Sequence, residues 1–225
     1  MRKTLTCITA ALLIATGCTS TPPTIDMSAD AEVTFDGLRS VENTRADAAW
    51  ARPDADLSGY TKVMLQGAGI EYRPGGESGR TSVSRGRGGP YEVTEAQKSR
   101  LEEIVIEAFS EELARCEVLE FVQEPGPDVL LVRGALLDVV SYVPPDPIEA
   151  RSRVFLSQVG EATLVIELRD SITEAILARA VDRRAAEQVA GAMQESNRVT
   201  NAAEVRRLAN RWARQLREGL EGFIG

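Results

Sequence analysis

Residues 162–169 read ATLVIELR, and residues 175–183 read AILARAVDR. In the first segment Ala, Leu, Ile and Leu alternate with Thr, Val, Glu and Arg, and this period of two is typical of a β-strand with one buried face. Residues 170–174, DSITE, separate the two segments and predict a turn. The sequence therefore predicts an antiparallel β-hairpin, around which the rest of the domain is arranged.

Three segments before the hairpin also predict strands. Residues 128–142 carry apolar side chains on both alternating faces, which predicts a central strand covered on both sides. Residues 60–72 predict a strand with a bulge at Gly67 and Gly69, and residues 118–122 predict a short strand. Together with two helices, this order predicts an α+β fold, with an antiparallel sheet of four to five strands and two helices packed on one face.

The two helices are predicted from their N-caps and from apolar residues at helical spacing. The first begins at a capping box formed by Thr94 and Gln97, and it runs to about residue 115. The second is expected to begin at Asn201, with Glu204 reaching back to the cap. A stripe that includes Trp212 predicts core packing for this helix, the alternative being a face laid on a partner or a membrane.

The start of the chain has the layout of a secretory signal, with a basic front, an apolar run over about residues 5–14 and small residues up to Gly17. The run is too short to span a bilayer, which needs about 20 apolar residues. Cys18 follows directly and resembles the lipobox cysteine of bacterial lipoproteins, although Ala15 stands where that motif usually has Leu. The resemblance implies cleavage after Gly17 and acyl chains on Cys18, and the alternative is an ordinary secretory signal.

These observations predict three parts of the chain. Residues 1–17 are the signal peptide, and residues 18–34, rich in Ser, Thr, Pro and Ala, are a lipidated flexible tether. Residues 35–225 form a single periplasmic α+β domain, entered through an irregular arm over about residues 35–53. Thr19, where an acidic residue would indicate retention in the inner membrane, implies by the same resemblance an outer-membrane location facing the periplasm.

Composition excludes several classes of function. Removal of residues 1–17 takes two of the 26 basic residues and leaves 24 against 34 acidic ones, a net charge of −10. Such a protein is a poor candidate for nucleic-acid binding, which relies on neutralising phosphates. The chain has no histidine, so His-based triads and histidine-ligated zinc or haem are excluded. Cys116 is predicted to be a buried apolar residue, the alternative being a reactive or intermolecular thiol, and we expect neither a metal nor another cofactor.

Three segments carry a family resemblance: residues 52–63 (RPDADLSGYTKV), 160–171 (GEATLVIELRDS) and 178–184 (ARAVDRR). They resemble the bacterial lipoprotein family of domain of unknown function 3313, over roughly residues 35–224. The resemblance implies a location in the cell envelope and brings no established activity. The order of strands and helices is also similar to that of auxiliary lipoproteins of envelope transport systems, which is a fold-level analogy.

A loop over residues 73–90, dense in Gly, Ser and Arg, is the first candidate site. Its only acidic residue is Glu77, and guanidinium groups among glycines suit phosphate recognition. The candidate anion-binding residues are Arg73, Arg80, Arg85 and Arg87. The alternative is a solvated loop without a ligand.

The charged residues of the hairpin are the second candidate site. They are Glu161, Glu167, Arg169, Asp170, Arg179, Asp182, Arg183 and Arg184. Paired carboxylates in a cleft could hydrolyse a glycan, with Glu167 or Asp170 as the acid or base. The interspersed arginines argue against a raised carboxyl pKa, since nearby positive charge favours ionisation. A cross-strand ladder of salt bridges is therefore favoured, and Asp170 is expected to shape the turn.

The function predicted from the sequence is that of a non-enzymatic outer-membrane lipoprotein. Its periplasmic domain would bind or scaffold a protein or another envelope component, with the acyl chains on Cys18 holding it to the membrane. One alternative is a phosphate- or lipid-binding accessory of an envelope transport system that uses the arginine loop. A hydrolase of envelope glycans that uses the hairpin carboxylates is the less favoured alternative.

Overall fold

The structure is a computed structural model that describes residues 21–74, 90–143, 155–187 and 193–224. The elements are, in chain order, β1 (Thr24–Ile25), β2 (Arg39–Glu42), β3 (Ala48–Ala51), β4 (Lys62–Tyr72), α1 (Glu95–Leu113), β5 (Glu120–Phe121), β6 (Val129–Ser141), β7 (Phe155–Leu156), β8 (Gln158–Asp170), β9 (Ile176–Glu187), β10 (Gln194–Glu195) and α2 (Arg198–Ile224). The predicted α+β class is confirmed.

The main sheet is larger than predicted, and its strands are mixed in direction. Eight strands lie in the order β1-β2-β3-β9-β8-β6-β4-β5, and β7 pairs with β10 in a separate ribbon. Strand β4 runs parallel to both β5 and β6, whereas the other pairs of the main sheet are antiparallel. The prediction of four to five antiparallel strands is therefore wrong. Because α1 carries the chain back across the sheet after β4, the next two strands, β5 and β6, run in the same direction as β4.

The predicted hairpin is present as β8 and β9, which pair from Gln158↔Glu187 to Arg169↔Ile176. Asp170 closes the turn, since its Oδ1 atom accepts hydrogen bonds from the backbone N–H groups of Thr173 at 2.7 Å and Ile172 at 3.1 Å. The turn-forming role expected of Asp170 is thus confirmed. Strand β6 pairs with β8 and β4 and is an inner strand, as predicted.

Both helices pack on the sheet and share one hydrophobic core with it. Leu130, Val132 and Ile166 of the sheet are buried together with Phe109 of α1 and Trp212 of α2. Leu208, Trp212 and Leu220 of the predicted stripe of α2 are therefore core, whereas Phe223 at its end is exposed. Cys116 packs against this core while remaining partly exposed. Burial of this apolar surface is the main source of stability, about 25 cal/mol per Å² removed from water.

The start of α1 is confirmed, and the start of α2 is corrected. The Thr94 hydroxyl accepts from the Gln97 backbone N–H, and the Gln97 side chain accepts from the Thr94 N–H. In α2 the cap is Asn197, whose Oδ1 accepts from the N–H of Thr200 at 3.0 Å. Asn201 already lies within the helix, and Glu204 is buried against the core and ion-paired with Arg207 one turn later, so neither residue caps it.

The segment predicted as an irregular arm forms two strands at the edge of the sheet. Strand β3 pairs antiparallel with β9, with Ala49 opposite Ala180, and β2 pairs with β3. Residues 24–25, which lie in the segment predicted as a tether, form β1 and pair with β2. The free backbone groups of the β9 edge explain this addition, because an unpaired edge accepts a further strand even from a segment of weak β-propensity.

Candidate functional site

The side of β8 and β9 that points away from the helices carries a network of ion pairs, called here the polar face. Leu164 and Ile166 of β8 belong to the shared core, and the residues that alternate with them therefore lie on the opposite side. The polar face consists of Asp36, Arg73, Asp138, Glu161, Glu167, Arg169, Arg179 and Arg183.

Glu167 lies at the centre of one half of the polar face. Its two carboxylate oxygens accept from Arg179 Nε at 3.0 Å and from Arg169 Nε at 2.9 Å. Arg179 also donates to Asp36 Oδ2 at 2.7 Å. Burial by itself raises the pKa of Glu167, but the hydrogen bonds from Arg169 and Arg179 outweigh it and lower that pKa below its usual value. Glu167 is therefore held as a carboxylate.

The other half of the polar face joins three segments of the chain. Arg183 donates to Glu161 Oε1 at 2.6 Å and to Asp138 Oδ2 at 3.0 Å, and Arg73 Nε donates to Asp138 Oδ1 at 2.6 Å. The hydrogen bond from Arg73 is the main cause of a lowered Asp138 pKa. Arg73 of the predicted anion-binding loop is thus engaged by carboxylates. Arg80, Arg85 and Arg87 lie outside the described residues.

Two members of the predicted hairpin set lie on the helix side of the sheet instead. Asp182 is buried, and its Oδ2 atom accepts from Trp212 Nε1 of α2 at 2.7 Å. Arg184 donates to both carboxylate oxygens of Asp182, at 2.9 and 2.8 Å. This pair joins β9 to α2, a role that sequence reasoning missed. Asp182 stands opposite Leu164, a register that depends on the bulge between Leu168 and Arg169 and that the sequence alone did not indicate.

Two carboxylates of the hairpin, Glu167 and Asp170, are held in the ionised form. Glu167 has a lowered pKa, and the backbone N–H of Thr173 is the main cause of a lowered Asp170 pKa. A glycosidase needs one carboxyl that keeps its proton near neutral pH, which requires a raised pKa. Within the described part of the chain, no three carboxylate or thiol groups are placed to hold a metal ion.

We predict that the stability of the domain is lost in acid and is flat near neutral pH. The folded-state pKa of Glu167 is lower than its usual value of 4.5, so the stabilisation is present above that value and is lost as the pH falls through the folded-state pKa. The chain has no histidine, which is the residue whose ordinary pKa lies between about pH 6 and 8. Urea unfolding followed from pH 3 to 8 measures this.

The variant Glu167→Gln tests whether the ionised Glu167 side chain causes the loss of stability in acid. The variant should lose about 1 to 2 kcal/mol near neutral pH, and its difference from the unmodified domain should shrink below about pH 4. Glu187→Gln, at an exposed position of the same hairpin, is the matched control. A difference that is equal at pH 3 and pH 7 would contradict an electrostatic role for Glu167.

A second feature is an apolar cavity of about 530 Å³ between α2 and the sheet, called here the α2 groove. Its floor is formed by Leu164, Ile166 and Leu168 of β8, and α2 contributes Leu216 and Leu220. Residues 21–23 and 43–46 close one side. At its rim Arg45 is ion-paired with Glu218. The groove is thus an apolar space with polar groups at its edge, which is the usual make-up of a small-molecule site.

Small side chains create this groove. On the surface of the sheet that faces the helices, Ile166 of β8 is paired with Ala180 of β9, which is in turn paired with Ala49 of β3. The side chains therefore become smaller from β8 towards β3. On α2, Gly219 faces the groove, and a Cβ added there would have no atom within 4 Å. A sheet surface of alanines below a helix glycine leaves space that larger residues would fill. The sequence alone did not indicate the groove, because β3 was not predicted to pair with β9.

Gly17 and Cys18 lie outside the described residues, so lipidation remains a prediction. Thr21 is the first described residue, and it lines the α2 groove. Among the described residues, neither helix is long and apolar enough to cross a membrane.

Comparison with known proteins places the chain in a family. Residues 30–216 match the family described as Protein of unknown function (DUF3313). The chain belongs to this family. The family predicted from residues 52–63, 160–171 and 178–184 is thereby confirmed, and its description names no activity for this DUF3313 member. No curated protein matches the chain.

Several solved structures are similar to this DUF3313 member at low identity. The PelC dodecamer from Paraburkholderia phytofirmans is 11% identical, with 75% of this chain and 96% of that chain covered and a TM-score of 0.35. Protein XCC0632 from Xanthomonas campestris, of family DUF330, is 12% identical over 77% and 89%, with a TM-score of 0.38. A neuraminyllactose-binding hemagglutinin homolog from Helicobacter pylori is 12% identical over 73% and 87%, with a TM-score of 0.32. Such values transfer no functional property to this chain.

Proposed function

We propose that the chain is a non-enzymatic binding or scaffolding domain, held by acyl chains on Cys18 to the outer membrane and facing the periplasm. The observation that carries the non-enzymatic part is the polar face. Each hairpin carboxylate that a hydrolase would use is neutralised by arginine or bound by turn N–H groups, and these groups lie along a sheet surface. The lowered pKa values of Glu167 and Asp170 leave these two candidates without a proton for acid catalysis near neutral pH.

The anchor is supported by the sequence that precedes the domain. Cys18 follows small residues at the end of an apolar run, as in the lipobox. Several acyl chains on one cysteine give a stable anchor, whereas a single chain gives only marginal membrane binding. The arginine loop supports the alternative of a phosphate- or lipid-binding accessory less strongly than the sequence suggested, because Arg73 is already paired with Asp138.

The first test uses Cys18→Ala. We expect this variant to move from the membrane fraction to the soluble periplasmic fraction, because it lacks the residue that carries the acyl chains. Crosslinking in cells should capture one dominant envelope partner with the unmodified protein, and less of it with the variant, since tethering raises the local concentration. The readouts are fractionation, the mass of the N-terminal peptide and identification of the captured protein.

Cys116→Ala is the matched control, because it removes a thiol from the domain and leaves Cys18 in place. It should fractionate with membranes as the unmodified protein does. Unchanged membrane fractionation of Cys18→Ala would refute the anchor. Hydrolysis of envelope glycans by the purified domain, abolished by Glu167→Gln, would refute the non-enzymatic role.

A further inference from the structure

We propose that the α2 groove holds one fatty acyl chain carried by Cys18 of the same molecule. The proposal rests on the acyl anchor proposed above, and it assigns that anchor a docking site within the domain. The bound group is a hydrocarbon chain covalently attached to the N-terminal residue of the mature protein.

The lining of the groove selects a hydrocarbon chain. Its volume of about 530 Å³ lies in the range of about 300 to 1,000 Å³ that is usual for small-molecule sites. The charged residues that line the groove are already paired. Arg45 is bound to Glu218, Asp182 to Arg184 and Trp212, and Arg179 to Asp36 and Glu167 on the polar face. A charged ligand would therefore find no free counter-charge among these groups, whereas an apolar chain would bury its surface favourably.

The path of the chain brings the acyl group to this groove. Thr21, Pro22 and Pro23 line the groove, and β1 directly after them is paired with β2. Cys18 lies three residues before Thr21, and three residues span at most about 11 Å when fully extended. The Cα atom of Cys18 therefore lies within about 11 Å of the Cα atom of Thr21 in the groove wall, and the acyl chains extend from there.

The energetics favour the attached chain over a free one. Each methylene removed from water contributes about 0.8 kcal/mol, whatever the origin of the chain, and a chain that moves from the bilayer into the groove exchanges one apolar environment for another. A chain that is attached through a short linker is present at an effective concentration of about millimolar. Moving one chain from the bilayer into the groove leaves the others in place, and two membrane signals suffice for stable anchoring.

The protein contains tryptophan residues that can report whether the α2 groove is occupied. It has two tryptophans, Trp50 and Trp212. The Trp212 side chain lies between α2 and the sheet at the groove, whereas Trp50 stands opposite Arg179 and its side chain lies on the polar face. A fatty acid that is brominated along its chain quenches indole emission on contact, so its binding in the groove lowers the total tryptophan emission. The soluble Cys18→Ala protein should be quenched saturably, at about one fatty acid per protein. The lipidated protein, reconstituted in vesicles of phosphatidylethanolamine and phosphatidylglycerol, should need about tenfold more fatty acid, because its own chain competes.

Gly219→Leu, made in the soluble protein, tests the location of the bound chain. A side chain at residue 219 enters open space in the groove, and leucine favours a helix more than glycine does. We expect its fatty-acid affinity to fall about tenfold without loss of stability. Arg214→Leu adds the same side chain on the exposed side of α2 and should bind as the parent protein does.

The outcomes are distinct. Absence of saturable quenching in the soluble protein, or equal binding by Gly219→Leu, overturns the groove as an acyl site. Quenching of the lipidated protein by vesicle phospholipids that are brominated near their chain ends overturns the attached chain as occupant. A mature N-terminus without acyl mass refutes the anchor together with the docked chain. If the mature protein carries acyl chains but binds added fatty acid as tightly as Cys18→Ala does, the docked chain is refuted and the anchor is not.

Discussion

Replacement of Asp182 by alanine should lower the free energy of unfolding by about 3 kcal/mol. Asp182 is buried between β9 and α2, and it accepts hydrogen bonds from Trp212 Nε1 and from Arg184. Alanine leaves the buried indole N–H without an acceptor and removes the link between the strand and the helix. Arg184 reaches solvent, so its loss of a partner contributes less. Urea unfolding of the soluble domain measures the change.

Two further variants separate the parts of this effect. Asp182→Asn retains an oxygen that can accept from Trp212 but loses the charge that binds Arg184, so its loss of stability should be about half as large. Glu187→Ala, at an exposed position of the same strand, should change stability by no more than about 0.5 kcal/mol. If Asp182→Ala proves as mild as Glu187→Ala, the buried network does not support the domain.

The second large effect is expected at Gly160, where β8 approaches β6. A Cβ at this position would lie 2.3 Å from the backbone oxygen of Val140. Because that atom belongs to a paired strand, relief requires a shift of β6 or β8 and not a change of rotamer. We expect Gly160→Ala to lower the free energy of unfolding by about 2 to 3 kcal/mol. Thermal unfolding at a fixed protein concentration measures this loss.

Gly134→Ala is the matched control in the same pair of strands. Its Cβ would lie 3.3 Å from the Ile166 Cδ1 atom, which is the end of a flexible side chain and can move. The change should cost under about 1 kcal/mol. Equal losses for Gly160→Ala and Gly134→Ala would show that the contact with the Val140 backbone is not the cause.

Local patterns were sufficient for the elements whose signals lie within one segment. The alternation over residues 162–169 predicted β8, the apolar run over residues 128–142 predicted β6, and Thr94 with Gln97 predicted the start of α1. In each case the period of the side chains or the cap chemistry is set by neighbours a few residues apart. Predictions of this kind do not need the tertiary fold.

Elements that depend on distant partners were missed. Strand β3 reads Ala-Ala-Trp-Ala, a sequence without a strand signal, and it is extended because β9 offers a free edge. Strand β4 is parallel to β5 and β6 because α1 connects them as a crossover. The predicted order of strand, helix and strand was sufficient to predict this direction. At α2 the predicted cap was Asn201, whereas Asn197 caps the helix and Glu204 is buried in the core.

The candidate site was predicted only in part for the same reason. The ladder of charges on β8 and β9 follows from residues of the hairpin, and Glu167 with Arg179 forms it as expected. Asp36 and Asp138 complete the ladder from other segments, and Asp138 reaches it from a backbone with φ of 55°. To predict the α2 groove, one would need the register of β3, β8 and β9 and the position of α2 over them. No single segment of the sequence contains this information.

The pairing of β3 with β9 also sets an order for folding. Ala48 pairs with Val181, whereas the β8–β9 hairpin is closed by the short turn at Asp170. A chain is synthesised from its N-terminus, so β2 and β3 exist long before the strand that they must join. Contacts between distant residues form slowly, and the hairpin should form first as a template. The earliest-made part of the domain is therefore among the last to be incorporated.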